Sequence, residues 1–88
     1  GALDYKEKKR LESQRRKILN RFAKVEELIE ANDKKIDEFT KECENPKYAT
    51  DYVKLTELTN AIEALRAEQD ALMEEWEELQ MTIEDLPQ

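Results

Sequence analysis

One glycine, two prolines, one cysteine and no histidine stand in a chain of 88 residues. A sheet-built domain needs a turn residue every ten positions or so, and Gly1, Pro46 and Pro87 cannot supply that. The lone thiol, Cys43, rules out an internal disulfide, and without histidine the usual zinc sites are gone. No apolar run approaches the ~20 residues that cross a bilayer, and no signal-peptide core follows the first residues. No nucleophile–base pair or metal-ligand cluster is available. The expectation is a cytoplasmic, all-α, non-enzymatic chain with no catalytic, cofactor-binding or metal-binding residues.

Charged residues make up 42% of the chain and hydrophobic ones 39%, against about 25% and 45–50% in ordinary domains. The core must therefore be thin. The charge is also divided. Through Lys24 there are nine bases against three acids, +6; from Val25 onward there are six against nineteen, −13. Such asymmetry points to an anionic partner or to pairing between the two ends.

Apolar residues from Leu11 to Cys43 recur at 4,3 spacing. Arg15, Phe22, Ile29, Ile36 and Cys43 take heptad position a, and Leu11, Ile18, Val25, Asn32 and Phe39 take d. Pro46 breaks the pattern, because it lacks a backbone donor and disfavours helix at Asn45. Thr50 or Asp51 can then cap a second helix. In that helix Leu55, Ile62, Gln69, Trp76 and Ile83 take a, with Leu58, Leu65, Leu72, Leu79 and Leu86 at d. The spacing predicts an antiparallel coiled-coil hairpin over residues 6–86. Its helices span about 6–44 and 51–86, with a tip loop over 45–50 and a linker or expression remnant over 1–5.

Antiparallel packing sets a against d, so the register moves in steps of seven. Residue numbers summing to about 94 leave a loop of roughly seven residues. That register stacks Ile18 on Trp76 and matches Arg21 with Glu75, Glu26 with Arg66, Glu42 with Lys54 and Leu19 with Met73. A sum of 101 pairs Asn32 with Gln69 but calls for a loop twice as long, so 94 is expected. About a dozen large apolar side chains would then be buried in one seam. Trp76 and Phe22 read as core, Cys43 as a small hydrophobe, and Asn32 and Gln69 as register-setting residues.

An antiparallel hairpin lays Lys8 to Lys24 beside Glu74, Glu75, Glu77, Glu78, Glu84 and Asp85, which accounts for part of the basic charge. Arg15 and Arg21 can reach the second helix. Lys9 and Arg16 at b, and Arg10, Lys17 and Lys24 at c, point away from it. Extended by Lys6 and Lys8, this stripe suits contact with phosphates, although taken alone a charge run on a helix is more often a solvated face. No RNP-type aromatics, GXXG loop or finger adds specificity, so any contact is to the backbone.

The opening Leu3-Asp4-Tyr5-Lys6-Glu7-Lys8-Lys9-Arg10-Leu11-Glu12 resembles the start of the C-terminal domain of ABC-F ATPases of the Uup type. Tyr48, Asp51 and Lys54-Leu55-Thr56-Glu57-Leu58 are similar to that domain's tip and second-helix start. Trp76-Glu77-Glu78-Leu79-Gln80 resembles its terminal segment. The Leu/Glu-rich stretches between match any coiled coil, and Asp4 stands where the family has a small polar residue. The resemblance implies a parent ATPase with two ATP-binding cassettes, which bind ATP and magnesium, and no membrane domain. Family members act on ribosomes, and the Uup-type C-terminal domain is associated with DNA binding. With no Walker glycine loop or signature motif here, the cassettes are this domain's expected partners in the same protein. Nucleic acid, DNA or ribosomal RNA, is the other expected partner, met by Lys6, Lys8, Lys9, Arg10, Arg16, Lys17, Arg21 and Lys24 of a monomeric hairpin. Two other readings are a coiled-coil spacer or self-association module, and a tRNA-contacting arm.

Overall fold

The computed structural model describes residues 2–87. Two helices, α1 (Ala2–Cys43) and α2 (Tyr52–Glu84), form an antiparallel hairpin measuring 73 × 17 × 14 Å. Helix α1 begins at Ala2, so the linker expected over 1–5 is helical wherever it is described; Gly1 lies outside the described residues. Nothing between Ala2 and Cys43 breaks a helix, and Asp4 places an acid in the first turn, where the helix dipole favours it.

The tip turns without glycine and without any residue at positive φ among the described ones. Asn45 is extended (φ −66°, ψ 123°), as the residue before a proline must be. Its side chain accepts from the Lys47 N–H at 3.0 Å and caps a single 3-10 turn, Pro46–Tyr48. Asp51, rather than Thr50, caps α2 by accepting from the Lys54 N–H at 3.0 Å. At the other end Asp85 terminates α2, and the Leu86 N–H donates to the Ile83 carbonyl at 3.2 Å.

The register is one heptad away from the expected sum of 94. Trp76 stacks on Phe22, ring centroids 5.6 Å apart, and its indole N–H donates to Glu26 at 3.4 Å, which brackets the Val25 level. Gln69 Nε2 donates to the Ile29 carbonyl (2.8 Å) and to Asp33 (2.7 Å), which brackets Asn32. Trp76 therefore faces Val25 and not Ile18, and Gln69 faces Asn32: sums of 101. Helical side chains lean toward the N-terminus, so each covers a spot about one position behind its own Cα. In an antiparallel pair the two leans add. Side-chain layers summing to 101 thus need a shorter backbone loop than a count of residue numbers suggests, and the 3-10 turn supplies it. The Glu26–Arg66 and Glu42–Lys54 pairs do not form among the described residues: Glu26 takes the Trp76 indole, and Lys54 Nζ lies 5.4 Å from the Tyr48 ring.

Only Val25 (0% exposed), Leu58 and Leu72 are buried apolar residues among those described. The other seam residues expected in the core are mostly half-buried, because a two-helix seam leaves both long edges open to water. Asn32 and Gln69 are buried beside them, and Asn32 Nδ2 and Gln69 Oε1 have no hydrogen-bond partner.

Candidate nucleic-acid interface

The bases of α1 lie along its back. Lys9 and Arg16 share one heptad position and Arg10, Lys17 and Lys24 another, with Lys6 between the two rows on the side opposite the seam. All are exposed. From Lys6 to Lys24 the stripe runs about 27 Å along the helix. Lys8 falls on the seam side, where it lines an open-ended groove with Leu11, Leu86 and Pro87.

Local partners take little of this charge. Arg10 pairs with Glu7, and Lys24 lies 3.6 Å from Glu27; both are exposed i,i+3 contacts of small worth. Lys9 Nζ sits 5.4 Å from the Tyr5 ring centroid, a contact that leaves its charge intact. Lys6, Arg16 and Lys17 have no ion-pair partner among the described residues.

Arg21 is placed differently. Its Nε and Nη2 donate to the two Glu75 carboxylate oxygens at 2.6 and 2.8 Å, a bidentate pair across the seam. The hydrogen bond from Arg21 holds the Glu75 carboxyl below the usual carboxylate range, and Glu75 in turn raises the guanidinium pKa. Arg21 is therefore committed inside the hairpin, while the other seven expected bases stay on the back of α1 or at its free end.

The acidic residues of α2 do not line the whole basic segment. Leu86 and Pro87 share a groove with Leu11, Arg15 and Ile18, so residues 2–10 of α1 continue past the last turn of α2. This overhang is about 14 Å long. Asp4 through Arg10 are exposed on every side, and the Arg21–Glu75 bridge is the one ion pair between the helices among the described residues.

Two further bases sit at the far tip, where Lys47 and Lys54 place their ammonium groups 5.7 and 5.4 Å from the Tyr48 ring centroid. The heptad pattern offered no signal for Lys47, which lies in the turn, and matched Lys54 to Glu42 rather than to the Tyr48 ring. Among the described residues no group of three or more acids and thiols could hold a metal ion, and no helix is long and apolar enough to cross a membrane.

Fold and surface together define an antiparallel two-helix hairpin with a basic free end and an acidic second helix. The family model described as the ABC transporter C-terminal domain matches residues 2–81. The chain belongs to that family and is an accessory domain of an ABC protein. Comparison with curated proteins and comparison with solved structures each gave no match.

Proposed function

We propose that this hairpin is the non-catalytic C-terminal domain of a cytoplasmic ABC-F ATPase, and that it contacts the phosphate backbone of DNA or ribosomal RNA through the back of α1. The parent's cassettes bind and hydrolyse ATP with magnesium; the hairpin supplies contact. One observation carries the reading: Lys6, Arg16 and Lys17 lack ion-pair partners among the described residues and share an outward face with Lys9, Arg10 and Lys24. Phosphates along a nucleic acid offer the neutralisation that the protein does not. The acidic second helix repels the same polymer and so orients the hairpin with α1 against it.

Fluorescence anisotropy with labelled duplex DNA and an rRNA hairpin, across about 50–200 mM salt, tests the proposal. Four or five phosphate contacts give a log–log slope of roughly −3 to −4.5. The Arg16→Glu/Lys17→Glu/Lys24→Glu variant should lose binding while its helical circular dichroism is unchanged. Absence of binding at 50 mM salt would overturn the reading, and the 73 Å rod would then serve as a spacer between other parts of the parent.

A further inference from the structure

The two long edges of the hairpin differ in a way the nucleic-acid reading does not use. Along one edge, the bidentate Arg21–Glu75 pair bridges the helices. Along the other, where the e positions of both helices meet, Met73 is 51% and Leu19 39% exposed. A groove of about 340 Å³ opens on that edge, floored by Ile29, Met73 and Trp76 and rimmed by Glu26, Glu30 and Asp33.

The rim keeps its negative charge. Glu26 and Asp33 accept only from neutral donors, the Trp76 indole and the Gln69 amide, so neither carboxylate is neutralised by its partner. Glu30 meets Lys34 at 3.9 Å, an exposed pair of little worth. Asp70 and Glu77, exposed at b positions of α2, extend the acidic border on the opposite side. An apolar, aromatic-floored channel between acidic walls is complementary to one kind of surface: a helix with a hydrophobic ridge flanked by Lys and Arg.

We propose that this groove docks a cationic amphipathic helix of a partner protein. The ridge side chains cover Met73 and the Trp76 ring, and the basic flanks meet the rim carboxylates. A second copy of this chain fits poorly, because a two-fold contact would face the acidic edge with itself. The site is independent of the basic stripe on the back of α1.

Trp76 is the one tryptophan of the chain and part of the groove floor, so it reports occupancy directly. The probe is an 18-residue Leu/Lys peptide designed as an amphipathic helix, titrated against the domain and followed by Trp76 emission and amide chemical shifts. The expected result is a saturable blue shift, with shift changes clustered at residues 26–33 and 73. A scrambled Leu/Lys peptide should bind at least tenfold more weakly, and a Leu/Glu peptide not at all. Met73→Glu and Glu30→Lys, both at exposed positions, should each weaken binding about tenfold with helicity unchanged. Equal binding of the scrambled peptide, indifference to Met73→Glu, or shift changes confined to residues 74–78 would overturn the proposal. So would a dimer of the domain alone that Met73→Glu dissociates.

Discussion

The mid-section and the open end of this hairpin are built from similar helical sequence but are held by different forces. In the mid-section Val25 and Leu72 are buried and packing between helices sets the structure. At the open end Asp4 through Arg10 have no helix beside them, and local features such as helix propensity, the Arg10–Glu7 pair and the Lys9–Tyr5 contact support the helix. Helices of that length are marginal in water without packing. What the overhang gives up in stability it gains in accessible charge. There the seam side of α1 is open as well as its basic back, because α2 has already ended.

The sharpest test of this contrast compares one leucine from each region. Leu72→Ala removes a side chain that is 7% exposed, and Leu11→Ala one that is 43% exposed. The first should cost about 2–3 kcal/mol, at the low end for buried leucine because a thin seam can relax. That corresponds to a thermal midpoint lowered by roughly 10 °C or more in a domain of this size. The second should lower it by less than about 5 °C. Equal losses would mean that the open end is packed after all.

How much of this could be read from the residues follows the same division. The 4,3 spacing, Pro46 and the capping residues located both helices and the tip, since those features are local. Burial was only partly legible: the heptads named the seam, but how far one seam shields each residue depends on its open edges. Register was not legible from loop length, because counting residues ignores the lean of side chains toward helix N-termini. With the register went the surface. Only the one-heptad difference reveals that Lys6 to Arg10 stand clear of Glu84 and Asp85, whereas the Arg21–Glu75 bridge expected from the sequence forms across the seam all the same. The groove beside Trp76 could not be foreseen either, since it depends on which e positions meet.

The buried Asn32–Gln69 layer connects the two regions. A slip of one heptad, to sums of 94, would set Gln69 against Val25 and Asn32 against Ile62, burying amides on apolar neighbours. It would also draw Glu84 and Asp85 alongside Lys9 and Arg10. The polar layer therefore keeps the basic overhang free, at the expense of two unpartnered buried atoms, Asn32 Nδ2 and Gln69 Oε1. The Asn32→Leu/Gln69→Leu variant should be more stable by about 1–3 kcal/mol, since each such atom carries a desolvation penalty of that order. Its register should also be less certain. Spin labels at Leu19 and Gln80 should give one narrow distance in the parent chain and a second, longer one in the variant, from an axial slip of about 10 Å. A single unshifted distance in both would show that apolar packing alone sets the register.

The smallest expected effect concerns the bridge that closes one edge of the mid-section. Glu75 has its pKa lowered mainly by the hydrogen bond from Arg21, so the folded chain holds this carboxylate ionised at lower pH than the unfolded chain does. The bridge's contribution is accordingly complete above the unfolded value of about 4.3 and is lost as pH falls through the depressed folded value. Because the groups are exposed, the contribution is modest and screened by salt. The chain carries many other carboxylates, so the parent chain's acid denaturation alone cannot isolate the bridge. The difference between the parent and Arg21→Gln can. Thermal midpoints should be separated by a small, constant amount from pH 7 to about pH 5 and should converge as pH falls below about 4. An offset that persists at the lowest pH would assign Arg21 a packing role along its aliphatic stem. Convergence would confirm that this edge of the hairpin is closed by charge.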